Sequence, residues 1–113
     1  MVIHIQTTIK FNNEERYEGD FNNGIFEGFG KYYFKNGDRY EGDFKNNKRE
    51  GKGIMNYYNG DRYEGDYKND NREGKGIFYY NNGDREMGEY LNGKPIGMHV
   101  ILYFNFIINN YMS

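Results

Sequence analysis

The side chains of this 113-residue chain that could do chemistry are its carboxylates, two histidines and a single serine, and their spacing decides what they can do. Glu18 and Asp20 recur as Glu41 and Asp43 and again as Glu64 and Asp66, always two residues apart. A catalytic pair of carboxyls needs two unlike environments that move one pKa relative to the other. Identical settings repeated three times point instead to a solvated acidic face. Ser113 is terminal, and His4 and His99 lie in opposite terminal segments, so no nucleophile, base and orienting acid can be assembled. The glycine pairs that begin at Gly28, Gly51 and Gly74 look like fragments of phosphate loops, but no helical pattern follows them. Asn69, Asp70 and Asn71 lack the ligand order and the bidentate Glu of a calcium loop. No enzymatic activity, cofactor or metal is expected.

One cluster remains. Lys45, Lys48, Arg49 and Lys52 gather four cations in eight residues, and Lys68, Arg72 and Lys75 partly repeat them. Each well-placed cation near an anionic lipid surface contributes about 1 kcal/mol, which makes these four the candidate lipid-binding residues. Glu50, Asp70 and Glu73 dilute the field, so an ordinary solvated turn is the competing reading.

The elements that hold these residues are set by a repeat. Tyr17 to Arg39, Tyr40 to Arg62 and Tyr63 to Arg85 follow one another without a gap, each 23 residues long, with twelve positions identical in all three. The division expected is an N-terminal partial repeat or cap strand over 1–16, three repeats over 17–39, 40–62 and 63–85, and a degenerate fourth repeat with an apolar tail over 86–113. Decay toward both ends is what capping repeats show. Tyr40-Glu41-Gly42-Asp43-Phe44 alternates with the period of a strand, and Gly51 to Tyr58 reads as a second strand. The polar segment Lys45 to Glu50 joins them, and Asn59-Gly60 closes the unit with a strong hairpin signal. The fold class is therefore all-β: a single-layer, elongated, twisted antiparallel meander of repeated β-hairpins.

Glycine inside a strand weakens it, so the recurring strand glycines call for a partner that approaches closely. A three-residue loop at Tyr58-Asn59-Gly60 would set Tyr63, Gly65 and Tyr67 opposite Met55, Gly53 and Gly51, and rings would then cover bare glycine backbone. A two-residue turn shifts the pairing by one and brings Ile54 and Lys52 there instead. The first register is preferred because it explains the glycines. At roughly 10 Å per repeat, equivalent side chains form columns: Tyr17, Tyr40 and Tyr63; Phe21, Phe44 and Tyr67; and Arg16, Arg39, Arg62 and Arg85.

Composition limits the function classes further. Only 36% of residues are hydrophobic, yet 19% are aromatic, thirteen Tyr and nine Phe, so the buriable surface sits on rings. A net charge of −2 with mixed signs argues against a dedicated nucleic-acid partner. The chain has no Cys, which suits a reducing cytoplasm, and its N-terminus lacks the pattern of a signal peptide. The apolar run Val100 to Ile108 is too short to span a bilayer and is expected to cap the sheet as a strand.

Tyr-Glu-Gly-Asp-Phe, then Gly-Lys-Gly, then Asn-Gly-Asp-Arg-Tyr at a 23-residue period resembles the MORN repeat (membrane occupation and recognition nexus), cleanly over 17–85 and weakly over 9–16 and 86–98. The resemblance implies one twisted sheet with a shallow aromatic groove, in a family that acts in membrane attachment, in cytoskeletal, organelle and ciliary assembly, in homodimerisation, and as regulatory segments of lipid kinases and lysine methyltransferases. Repeat 1 departs from the others in carrying Phe26 where repeats 2 and 3 have Arg49 and Arg72. A single-layer sheet leaves apolar area exposed, and exposed apolar area marks an interaction site. The expected function is thus a non-catalytic scaffold for a protein partner or self-association, with Tyr17, Phe21, Tyr40, Phe44, Tyr63 and Tyr67 lining the groove. The alternatives are attachment to anionic phospholipid or phosphoinositide membranes, or a regulatory fragment of a larger enzyme such as a phosphatidylinositol phosphate kinase. The expected location is cytoplasmic, at a membrane or the cytoskeleton where a partner holds it there.

Overall fold

A computed structural model describes residues 5–105. The strands are β1 (Ile5–Lys10), β2 (Arg16–Asn22), β3 (Ile25–Tyr33), β4 (Arg39–Lys45), β5 (Lys48–Asn56), β6 (Arg62–Lys68), β7 (Asn71–Tyr79), β8 (Arg85–Leu91) and β9 (Lys94–Leu102). They form one sheet in sequence order, antiparallel throughout. The molecule measures 58 × 27 × 24 Å.

Two kinds of turn alternate along the two sides of the sheet. Between β5 and β6, Tyr57 N–H donates to Asp61 O and Gly60 N–H to Tyr57 O, which encloses the three-residue loop Tyr58-Asn59-Gly60. Gly60 has φ +96°, a left-handed conformation that costs glycine nothing. Met55, Gly53 and Gly51 accordingly face Tyr63, Gly65 and Tyr67, the register expected from the glycines. On the opposite side the link between strands is shorter than the sequence suggested. The segment Lys45 to Glu50 is not a loop: β4 runs to Lys45, β5 begins at Lys48, and Asn46 and Asn47 alone make the turn at φ +50° and +67°. Asn tolerates this conformation better than other non-glycine residues, which lets two residues reverse the chain with the twist that hairpins favour.

The pairs β2–β3, β4–β5, β6–β7 and β8–β9 each carry a bulge that the alternation of residue types did not reveal. Gly42 pairs with Gly53 and Phe44 with Arg49, so Asp43 stands alone against Glu50, Gly51 and Lys52. The Asp43 carboxylate accepts the Lys52 backbone N–H at 3.3 Å and so satisfies a donor that the bulge releases. Asp20 accepts the Phe29 N–H in the same way at 3.2 Å. Bulges increase the local twist of the strands that carry them.

The core lies within this single layer. Tyr17, Tyr40 and Tyr63 are fully buried, joined by Phe44, Met55, Tyr67 and Tyr90. Each of the three tyrosines lies flat over the glycine pair beside it: a Cβ on Gly53 would overlap the Tyr40 ring, and one on Gly76 the Tyr63 ring. Its hydroxyl donates to a bulge carbonyl, Tyr17 to Asp20 O at 2.5 Å, Tyr40 to Asp43 O at 2.8 Å and Tyr63 to Asp66 O at 3.2 Å. The rings then meet edge to face in a zigzag from Tyr17 through Phe44, Tyr40, Tyr67 and Tyr63 to Tyr90, with centroids 5.1–5.5 Å apart.

The last hairpin keeps this arrangement with the ring moved to the other strand. Glu86 stands where the repeats have Tyr, and His99 stands where they have Gly. The His99 imidazole covers Gly88, packs on Tyr90 at 5.3 Å and 81°, and its Nε2 lies 2.9 Å from Glu89 O, the carbonyl equivalent to that of Asp43. His99 Nδ1 sits 2.8 Å from Glu86 Oε2, near enough for an ion pair but off the hydrogen-bond axis. One slot thus holds one ring. Glu86→Tyr alone would force a second ring into it and should destabilise the fold by about 1–3 kcal/mol of overpacking, seen as a lower melting temperature. Glu86→Tyr with His99→Gly restores the arrangement of the other repeats and is expected to recover the loss, as read by paired thermal melts.

Candidate functional site

The two rows of turns join hairpin to hairpin through side chains. Asp38 Oδ1 accepts the Tyr58 N–H at 2.9 Å, Asp61 that of Asn81 at 2.8 Å and Asp84 that of Phe104 at 2.8 Å. On the other side Glu27 accepts the Asn46 N–H and Glu50 the Asn69 N–H. These acids of the repeat are therefore structural acceptors, and the open surface has to be sought on the faces of the sheet.

On the aromatic face, repeats 2 and 3 are covered by arginine. The Arg49 guanidinium lies 5.8 Å from the Tyr40 ring and 5.2 Å from that of Tyr67, and Arg72 lies 5.4 and 4.8 Å from Tyr63 and Tyr90. Asp70 of the next hairpin anchors Arg49 through Nε at 3.1 Å and through its backbone carbonyl to Nη2 at 2.7 Å. Repeat 1 is different. Phe26 stacks on Tyr17 at 3.9 Å with the planes 9° apart, too short and apolar to bridge to a neighbour as arginine does. The aromatic face stays open there as a groove of about 640 Å³ lined by Phe11, Phe21, Phe26, Tyr32, Phe34 and Phe44, with Arg49 and Asp70 at its polar end. Glu15 fixes one wall by accepting the Tyr32 hydroxyl at 2.8 Å and the Lys35 N–H at 3.1 Å. Those bonds, the Lys35 amide first, hold the Glu15 carboxyl below its usual range, while burial and then the bond to Glu15 push the Tyr32 phenol up to about 12.

The expected groove residues divide accordingly. Tyr17, Tyr40 and Tyr63 do not line a groove: they are fully buried by the glycine slots beneath and the rings and arginines above, so they are core. Tyr67 is core as well, at 4% exposure. Phe21 and Phe44 do reach the groove wall. Phe11, Phe26, Tyr32 and Phe34 complete it, and the signal for them was the exchange of arginine for Phe26, visible as a departure from the repeat but silent about what it uncovers. The four basic residues are dispersed. Lys45 and Lys48 face each other across the β4–β5 turn, Lys52 is paired with Asp66 of β6, and Arg49 lies over the aromatic rings. His4 and the tail from Phe106 on fall outside the described residues, and of the run Val100 to Ile108 the segment to Leu102 belongs to β9.

A family model of the MORN repeat matches residues 17–39, 40–62 and 63–85. The chain belongs to the MORN-repeat family. No curated protein matches it. MORN repeats are non-catalytic modules, generally of protein or membrane interaction, and the glycine-seated tyrosine of each unit is how this MORN sheet acquires a core.

Burial raises the phenol pKa of Tyr17 to about 12, and those of Tyr40, Tyr63 and Tyr67 still higher. An unfolded tyrosine ionises near about 10. Below that value both states are neutral and the full stability is present. As pH rises through 10 toward the folded values, the unfolded chain loses its protons first and stability falls. Absorbance at 295 nm and circular dichroism are expected to show the phenolate of these core rings appearing together with unfolding. Tyr40→Ala should cost about 3–5 kcal/mol in a denaturant melt, as for other large aromatics deleted from a core.

Proposed function

We propose that this MORN protein is a non-catalytic scaffold that takes an apolar segment of a protein partner into the groove at the N-terminal end of its aromatic face. One observation carries the reading: the groove is lined by six phenylalanine and tyrosine rings at the one repeat where phenylalanine replaces the covering arginine. Aromatic pockets of this kind supply the rigid anchor sites that dominate protein–protein binding energy. The paired Arg49 and Asp70 at one end add polar groups that fix orientation without a net charge. The anionic-lipid reading gains less support, because Arg49 is engaged by Asp70 and by rings and Lys52 by Asp66, which takes two of the four cations out of a common basic patch.

Phe26→Arg copies the residue that covers the other repeats and should close the groove while leaving the melt within a few degrees. Peptides selected from a displayed library on the wild-type protein are expected to lose at least about tenfold in affinity for Phe26→Arg, the scale of one interface anchor. Peptides that bind both proteins equally would remove the groove as the site. In the parallel experiment, vesicles containing phosphoinositide should leave the protein in the supernatant. Salt-sensitive sedimentation that disappears in Lys45→Ser/Lys48→Ser/Lys52→Ser would move the function to the membrane.

A further inference from the structure

Repeats 2 and 3 each seat a guanidinium on the aromatic face in the same way. Arg49 lies over Tyr40 of its own repeat and Tyr67 of the next hairpin, and Arg72 over Tyr63 and Tyr90. In both cases Nη2 donates to a turn carbonyl of the next hairpin, Asp70 O at 2.7 Å and Gly93 O at 3.0 Å. Among the described residues every cation that lies over a ring is an arginine, Arg16, Arg62 and Arg85 being the others. A guanidinium is flat and weakly hydrated, so it can rest on a ring while its edge donates hydrogen bonds, which a compact ammonium does less well.

Repeat 1 has the receiving parts without the arginine. Phe26 takes the position of Arg49 and Arg72, Phe44 that of Tyr67 and Tyr90, and Asn47 that of Asp70 and Gly93. The backbone frame is the same: Asn47 N–H donates to Phe26 O at 3.1 Å, as Asp70 N–H does to Arg49 O and Gly93 N–H to Arg72 O, both at 3.0 Å. Phe26 N–H donates to Asn47 Oδ1 at 2.8 Å, as Arg49 N–H does to Asp70 Oδ1. A phenyl ring carries no donor, so Phe26 cannot give the Asn47 carbonyl the bond that arginine gives its counterparts. Asn47 lines the groove, where Phe11, Phe26 and Tyr32 stand with centroids 6.0–6.4 Å apart. Arg49 at the polar end does not repel a second cation, because Asp70 neutralises it at 3.1 Å. Both bonds from Arg49 to the Asp70 carboxylate use Oδ1, which leaves Oδ2 without a hydrogen bond among the described residues.

We propose that the groove is a receptor for an arginine of the partner, whose guanidinium rests on the rings of repeat 1 and donates to the Asn47 carbonyl. The partner thereby supplies from outside what Arg49 and Arg72 supply within the chain. The inference rests on the groove reading above and adds one obligatory arginine to its apolar segment. An aliphatic side chain in the same place would cover the rings but leave the Asn47 carbonyl desolvated and without a donor. A lysine could donate to that carbonyl, but it has no plane to lay on the rings. Phe26→Arg then acts as an internal competitor that places the chain's own guanidinium where the partner's would lie.

Calorimetric titration of the full chain with the library-selected peptides tests this. The selected sequences are expected to share one arginine beside apolar residues. One such peptide is made in three forms: with arginine, with citrulline, which keeps the shape but replaces the guanidinium by an uncharged urea, and with lysine. The citrulline and lysine forms should each bind the wild type at least about tenfold more weakly than the arginine form, the scale of one interface anchor. Against Phe26→Arg the three forms should bind alike and weakly. These peptide exchanges read the wild-type protein, so the test does not depend on the folding of a variant. Selected peptides without a common arginine, or a citrulline or lysine form as tight as the arginine form, would overturn the arginine inference while loss of binding to Phe26→Arg still upheld the groove. An arginine form that binds wild type and Phe26→Arg equally would overturn both.

Discussion

A phenol ring laid flat on two bare glycine backbones, its hydroxyl bonded to the carbonyl of a bulge, is the contact on which the rest of this molecule depends. A sheet one layer thick has no second layer to bury its face, and a chain that is only 36% hydrophobic could not supply one. Removing the Cβ from two facing positions lets a ring drop to the level of the backbone, where the flanking strand walls enclose it. One ring edge from the next repeat and one guanidinium from the same repeat then complete the burial, as Tyr67 and Arg49 do over Tyr40. The entropic cost of strand glycines is offset by a fully buried aromatic side chain in every unit.

The other features of the repeat serve that contact. The bulge exposes the carbonyl that the hydroxyl needs, and the bulge's unmatched Asp returns a hydrogen bond to the released N–H. Asp and Glu in the two rows of turns bond the amides of the next hairpin, which fixes the rise from unit to unit and brings each ring onto the next. His99 shows that the slot, rather than tyrosine itself, is the requirement: an imidazole entering from the neighbouring strand finds the same carbonyl and the same edge-to-face neighbour. The pattern lapses at both ends. Phe26 does not cover the face as arginine does and leaves a groove at one end, while apolar residues in place of Glu and Lys leave exposed apolar side chains at the other.

The sequence by itself determined the all-β class, the 23-residue unit and the antiparallel meander, because each follows from local periodicity; the need to place rings over glycines favoured one register across the Asn-Gly loops over a second, and the structure decided between them. It also marked Phe26 as a departure. It could not tell the depth at which a ring sits. Tyr40 and Phe21 look alike as strand aromatics, yet one lies fully buried over Gly53 and the other borders an open groove, and the difference comes from what the paired strand and the adjacent hairpin place against each ring. The basic cluster reads as four neighbours along the chain, whereas the bulge and the pleat send Arg49 onto the rings and Lys52 to Asp66. Burial, face and pairing are properties of what the adjacent unit places alongside, and only the tertiary structure decides them.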